Sequence, residues 1–123
     1  MNQANISNVL GMEPELLAKW IECNFIKEIP ITLETADDLK AAGILLGKLT
    51  NIYAYLMSLS TYAKLAVKEE KRKATKDSKE ELNKSMSRRD IIDDYVSIVK
   101  MQYSAVSRMI TVKKQIDDEM RMV

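Results

Sequence analysis

The sequence predicts an all-α protein: a long antiparallel helical hairpin with a short N-terminal helix, oligomerising through its apolar seam. The first observation is composition, because the 123 residues include only three Gly and two Pro and are rich in helix-forming residues. The second is periodicity, since apolar residues recur at three- and four-residue steps along two long tracts. The third is a short, highly charged segment between the tracts, where the chain can reverse. This length is typical of one domain.

The first tract runs from about Ala36 to Lys73 and predicts the first long helix. Thr35 followed by Asp38 forms a capping-box-like pair at its start. Within the tract, Gly43 and Gly47 lower helix propensity. They either allow close approach of another helix or are simply tolerated. The predicted apolar stripe consists of Leu39, Ala42, Leu46, Leu49, Tyr53, Leu56, Ala63 and Val67.

The second tract predicts a second long helix from about Arg89 to Met120. Ser87 is a suitable N-cap, with Asp90 at the third helical position. The charged segment before it, from about residue 74 to residue 87, is expected to be a loop or frayed helix. The apolar stripe of this helix consists of Ile92, Tyr95, Val99, Val106, Met109, Ile116 and Met120.

The N-terminal part, residues 1–33, is predicted to be a short helix and an extended connector, and residues 34–123 form the hairpin. Residues 1 to about 12 form a polar lead. The short helix begins at Pro14, which suits a first helical turn, and ends before Pro30. Its apolar residues, expected to form a small core, are Leu16, Leu17, Trp20, Ile21 and Phe25.

Composition argues against an enzyme. The chain has no His, which is the commonest general base and metal ligand, and no phosphate-binding or metal-binding motif. Cys23 is the only cysteine, so it forms no intramolecular disulfide, and it is expected to pack rather than react. We therefore expect no catalytic residue, no cofactor and no metal. The absence of a secretion signal or an apolar stretch of membrane-spanning length predicts a cytoplasmic protein, in the host cell if the protein is phage-encoded.

Positive charge is concentrated near the hairpin turn. Nine basic and five acidic residues lie between Lys68 and Arg89, so this window has a charge of +4 within a chain whose net charge is +1. Further along, Arg89, Lys100 and Lys114 share one stripe of the second helix, far from its apolar seam. Such a stripe either contacts a phosphate backbone or is an ordinary solvated surface.

Tyrosines offer a second possible contact with nucleic acid. Tyr55 and Tyr62 lie seven residues apart on a common flank of the first long helix. They either stack on bases or pack at the edge of the hairpin. Tyr53, Tyr95 and Tyr103 fall on or beside the apolar seam, where we expect them in the core.

Both long helices have apolar residues beyond a narrow seam, and one short helix is too small to cover them. A monomer would leave a large apolar patch in water, so the sequence predicts a homo-oligomer or a constitutive partner. The residues expected at the oligomer interface are Leu46, Leu49, Tyr53, Leu56, Val99 and Val106.

The pattern resembles a known family. A Lys-rich break is followed by Arg-Arg-Asp-Ile-Ile-Asp-Asp-Tyr at residues 88–95, and the pattern continues through residues 100–109 and ends in an amphipathic tail. Over roughly residues 35–123, the layout is similar in outline to small phage-encoded helical proteins of the UvsY type, which are recombination mediators. The resemblance implies a ring-forming protein that binds single-stranded DNA and loads a recombinase. The basic residues it implicates are Lys64, Lys68, Lys71, Arg72 and Arg108.

Two functions follow as hypotheses. The first is a non-enzymatic, oligomeric accessory protein that binds single-stranded nucleic acid and assists a phage-type recombination or replication protein. The alternative is a helical protein-interaction module, such as a phage-encoded inhibitor of a host or defence protein, that uses the Met-rich second helix and binds no nucleic acid. The residues expected to bind nucleic acid are Lys64, Lys68, Lys71, Arg72, Lys73, Lys76, Arg89, Lys100, Arg108 and Lys114.

Overall fold

The computed structural model describes residues 6–28, 39–73 and 79–121, and over these residues the chain is helical and contains no strand. The all-α class and the packed pair of long helices are confirmed. The α-helices are α1 (Ile6–Leu10), α2 (Pro14–Asn24), α3 (Leu39–Arg72) and α4 (Lys79–Arg121), and a 3-10 turn (Ile26–Glu28) follows α2.

α3 and α4 pack against each other in antiparallel register. The Ser60 hydroxyl in α3 donates a hydrogen bond of 2.5 Å to Asp93 Oδ1 in α4, which fixes that register. Leu56 and Val99 are fully buried between the helices. Burial of a side chain of this size contributes about 1.5–3 kcal/mol. The other buried members of the predicted stripes are Ala42, Leu49, Ala63, Val67, Ile92 and Val106.

The far end of α4 extends past its partner. Counting outward from the Ser60–Asp93 pair, Leu39 lies level with about Lys114. Beyond that point no described residue lies opposite α4. Ile116 and Met120, which the sequence assigns to the seam, are 50% and 73% exposed for this reason.

α2 lies on one face of the hairpin, beside the first half of α4. Lys84 Nζ lies 3.2 Å from Glu13 Oε1, and the Tyr95 hydroxyl donates a 2.9 Å hydrogen bond to Glu22 Oε1. From the first contact to the second, the residue number increases in both helices, so α2 runs parallel to α4. No helix among the described residues is both long enough and apolar enough to cross a membrane.

An aromatic cluster secures the end of α2 against α3. The ring centroid of Phe25 lies 5.4 Å from that of Trp20 and 5.3 Å from that of Tyr55. Phe25 and Ile21 are buried, and Trp20 is half-buried. The small N-terminal core predicted from the sequence is therefore present and includes Tyr55 of α3 as well, but Leu16 does not belong to it, because its side chain is 58% exposed.

α4 begins at Lys79, well before the predicted Arg89. Glu80 and Glu81 lie in its first turn, where negative charge stabilises the positive end of the helix dipole. The expected loop is thus largely helix. The periodicity failed to reveal it because the side chains buried here on the inner stripe of α4, Ser85 and Arg88, are polar or charged.

The predicted polar lead contains a helix. α1 places Val9 in the core, fully buried, and makes contact with α3. A helix of this length is too short for its apolar spacing to be read as periodic. At the other end of the molecule, a Cβ added to Gly43 or Gly47 would have no described atom within 4 Å. Of the two alternatives for these glycines, the described residues fit simple tolerance.

The connector before α3, its predicted cap at residues 35–38 and the turn at residues 74–78 lie outside the described residues.

Candidate nucleic-acid interface

The two sides of α3 differ in chemistry. At about 100° per residue, Tyr53, Lys64 and Lys71 lie about 60–80° from the buried Leu56 on one side of the helix. Tyr55 lies about 100° away on the opposite side, where it contacts Trp20 and Phe25. One side of α3 therefore faces α2, and Lys64 and Lys71 lie on the other side.

α4 has the same division. Arg89, Lys100 and Lys114 lie about 60–100° from the buried Val99 on one side of the helix. Tyr95 and Lys84, which contact Glu22 and Glu13, lie on the other side. Each long helix thus presents cations away from α2.

A shared cleft shows that these two sides form one surface. Thr50 and Tyr53 of α3 and Lys100, Tyr103 and Ser104 of α4 together line a cavity of about 360 Å³. We call it the tyrosine cleft. The surface that contains it is the basic face, which consists of Lys64, Lys68, Lys71, Arg89, Lys100 and Lys114 and lies opposite α2.

Few acids balance these cations. The two acidic residues of α3, Glu69 and Glu70, lie on other sides of that helix. On α4, Asp93 is half-buried and accepts the Ser60 hydrogen bond. Asp90 lies 3.1 Å from Arg89, and Asp118 is exposed near Lys114. Over the whole face, the six cations therefore outnumber the three carboxylates Asp90, Asp93 and Asp118.

The other described residues among the predicted cations lie outside the basic face. Arg72 pairs with Glu69 at 2.9 Å and is strongly exposed, a geometry that contributes little to stability. Arg108 and Lys73 are exposed, and Lys76 lies outside the described residues. The structure thus brings six of the ten predicted nucleic-acid residues onto one surface and does not group Arg72, Lys73 and Arg108 with them.

The two tyrosines proposed as a stacking flank are separated by burial. Tyr55 is 6% exposed, and burial raises the pKa of its hydroxyl. Tyr55 therefore packs within the protein, which is one of the two roles that the sequence left open for it. Tyr62 is 50% exposed but lies on the α2 side of α3, away from the basic face. Tyr53 and Tyr103, assigned to the core from sequence, are the tyrosines that lie among the cations.

Part of the positive charge near the turn serves the fold. Arg88 is 7% exposed, and its Nε donates a 2.6 Å hydrogen bond to the carbonyl oxygen of Met12, while Nη1 lies 3.2 Å from Glu81 Oε1. Hydrogen bonding to Glu13, with the charge of that carboxylate, raises the pKa of Lys84. Sequence reasoning missed both roles. The available signal was the position of Arg88, one turn before Ile92 on the inner stripe of α4.

The residues predicted at an oligomer interface lie inside one chain. Leu49, Leu56, Val99 and Val106 are at most 2% exposed, and Leu46 and Tyr53 pack partly buried against the same core. They form the core of the hairpin because α3 and α4 cover them mutually. Self-association stays a prediction, and it would have to use other residues.

Apolar residues remain exposed on the α2 side, beyond the end of α2. Ile44 of α3 and Ile98, Val112 and Ile116 of α4 are 59%, 42%, 48% and 50% exposed. No described residue covers them. We call these four residues the open apolar face; it continues the surface on which α2 packs.

Other chemical groups are sparse. Cys23 is exposed, so the expectation that it packs is wrong. In the described part of the chain, no three His, Cys, Asp or Glu side chains are close enough together to hold a metal ion.

No protein-family model, curated protein or solved structure matches this chain.

Proposed function

We propose that this protein is a non-enzymatic accessory protein that binds single-stranded nucleic acid through the basic face. The observation that carries the proposal is the grouping of cations from both long helices on the surface opposite α2. Lysine and arginine side chains along a surface neutralise phosphates and release counterions, which supplies most of the affinity in non-specific binding. In this proposal the protein assists a recombination or replication protein in the cytoplasm, as its resemblance to UvsY-type mediators implies.

Charge segregation supports the choice of surface. Around α2, the glutamates Glu13, Glu15 and Glu22 are accompanied by Lys19, Lys27 and Lys84, so cations and carboxylates are balanced there. A polyanion is attracted more strongly to the basic face, where cations outnumber carboxylates, because the summed charge steers encounter. The hairpin keeps the cations in place, since α3 and α4 are joined by a continuous buried core.

The oligomer belongs to the same proposal. A second copy of the chain covers the open apolar face, which shields exposed aliphatic side chains from water. The basic face stays accessible, because it lies on the other side of the hairpin. Several copies would then present several basic faces to one strand and increase the overall affinity.

The test is binding of a labelled single strand at increasing salt. We expect log affinity to fall with log salt by about 0.7 per neutralised phosphate. Changing Lys64, Lys68 and Lys71 together to Gln removes three cations from the face, so the slope should decrease by about 2. Circular dichroism should show unchanged helix content, because all three side chains are exposed.

A matched variant controls for net charge. Lys19, Lys27 and Lys48 are exposed and lie off the basic face, so their joint change to Gln removes the same charge from elsewhere. Affinity should change little. Equal losses in the two triple variants would contradict a localised site, and no binding by the unmodified protein at low salt would overturn the proposal.

A protein-interaction module is the second candidate, favoured by one observation. Met101 and Met120 of α4 are 72% and 73% exposed, and flexible, polarisable side chains suit a surface that adapts to a partner. This function requires the exposed methionines of α4 and not the basic face. A target that is still bound by the Lys64, Lys68 and Lys71 variant but is lost on changing Met101 and Met120 to Glu would favour it.

A further inference from the structure

We propose that the tyrosine cleft binds one unpaired nucleobase, and that this contact gives the protein a preference for single strands over duplex. The inference rests on the proposed function and goes beyond it, because phosphate neutralisation alone does not distinguish single strands from duplex well. It assigns the contact to a particular site.

The lining of the cleft suits a base attached to a phosphate. Two aromatic residues, Tyr53 and Tyr103, come from facing helices, and no carboxylate is present among the described residues that line the cleft. Lys100 places an ammonium group at the same opening. Thr50 and Ser104 add hydroxyl groups, and the Thr50 hydroxyl donates to the Leu46 carbonyl at 2.8 Å, so its oxygen remains able to accept a hydrogen bond.

Size and rigidity agree with this occupant. The volume of about 360 Å³ is near the lower limit of small-ligand sites, roughly 300–1,000 Å³. Tyr53 is partly buried and packs against the core, so its ring is held before any ligand arrives. Tyr103 is 37% exposed and presents its ring to solvent. A base entering between α3 and α4 meets a preformed aromatic surface.

The position of the cleft selects the ligand. Lys100 belongs both to the cleft and to the basic face, between Arg89 and Lys114 along α4. A strand whose phosphates follow these cations passes the opening of the cleft. In a duplex the bases are paired and stacked in the interior, so only a single strand can turn a base into the cleft at no unpairing cost.

The experiment compares an oligothymidylate with an abasic oligonucleotide of equal length, which has the same phosphates but no bases. We expect the unmodified protein to bind the oligothymidylate more tightly, by a factor of roughly 5 to 150. This range is the ~1–3 kcal/mol of one stacked base converted at about 1.4 kcal/mol per factor of ten. Changing Tyr103 to Leu should abolish that difference and leave abasic binding unchanged.

Tyr62→Leu is the matched control, because Tyr62 is an exposed tyrosine of α3 on the opposite side of the hairpin. It should retain the full preference. A second measurement is photo-crosslinking from iodouracil in the strand, which should label the peptide that contains Tyr103.

Each outcome separates the two proposals. Equal affinity of the unmodified protein for both oligonucleotides overturns the cleft assignment while the phosphate-binding function stands. A preference that survives Tyr103→Leu in a folded protein also overturns it. Binding of neither oligonucleotide overturns the proposed function and the cleft with it.

Discussion

The Nε of Arg88 in α4 donates a hydrogen bond of 2.6 Å to the backbone carbonyl of Met12, in the turn between α1 and α2. This bond joins parts of the chain that are 76 residues apart in sequence. It ties the N-terminal helices to the segment of α4 that precedes the predicted helix start. The C-terminal end of the charged segment therefore stabilises the fold. The sequence predicts a loop or frayed helix there.

Replacing Arg88 by Met should destabilise the fold by about 1.5–3 kcal/mol, the usual range for a hydrogen bond to a charged group. The loss has two sources, the Met12 carbonyl left without its donor and the contact with Glu81. Chemical denaturation followed by circular dichroism measures it. Arg89→Met is the neighbouring control, because the contact that Arg89 makes among the described residues is a surface ion pair with Asp90. Equal losses in the two variants would contradict the assigned anchor.

Ionisation of the Tyr95 hydroxyl should lower the free energy of unfolding between pH 10 and pH 12. Burial, followed by the hydrogen bond to Glu22, raises the pKa of Tyr95 to about 12, whereas an unfolded tyrosine titrates near 10. In this window the unfolded chain binds fewer protons than the folded one, so stability decreases as pH rises. Below pH 10 the neutral Tyr95 hydroxyl makes its full contribution to stability.

Tyr95→Phe provides the comparison, because phenylalanine has no hydroxyl to titrate. We expect unfolding free energies measured across that window to fall less steeply in this variant than in the unmodified protein. Tyrosinate absorbance followed during a pH titration identifies the late-ionising residue. Parallel pH profiles for the two proteins would show that Tyr95 is not responsible.

Gly43→Ala and Gly47→Ala should each stabilise the protein by ~0.5–1 kcal/mol. Both glycines lie within α3, and an added Cβ meets no described atom within 4 Å at either position. Alanine restricts the unfolded chain and suits the helix better. Thermal unfolding measures the gain. A loss of stability or of assembly in either variant would instead indicate that another helix approaches there.

Self-association should depend on Val112 and Ile116 of the open apolar face. We expect light scattering after size exclusion to give a mass above 14.1 kDa for the unmodified protein. Changing both residues to Glu should return the monomer with its helix content intact, because they are about half exposed in the single chain. Leu56→Asp should unfold the chain instead, since Leu56 is fully buried. A monomeric mass for the unmodified protein sinks this prediction.

Cys23→Ser should change stability by less than about 0.5 kcal/mol, as is usual for exposed positions. Nucleic-acid binding should also be unchanged, because Cys23 lies on α2, on the side opposite the basic face. Denaturation and binding measured on the same preparation would decide both points. Complete loss of binding by a folded Cys23→Ser protein would reassign the thiol to function.

Local composition and periodicity were enough to predict the hairpin. Leu49 and Leu56 of α3 lie seven residues apart, as do Val99 and Val106 of α4, and the structure buries all four as that spacing requires. The N-terminal aromatic core was predictable for the same reason. The start of α4 was not, because a charged stretch acquires its helix from contacts with α2 that leave no periodic apolar signal.

The sequence by itself determined which residues form helices and which stripe of each long helix is apolar. Only the tertiary structure decided which flank of the hairpin α2 covers. That choice buries Tyr55 and leaves Tyr53, Tyr103 and Lys100 around an open cleft. The physical reason is that periodicity records the polarity of a helix side, whereas the neighbour that covers it depends on contacts between residues distant in sequence, such as Arg88 with Met12 and Tyr95 with Glu22.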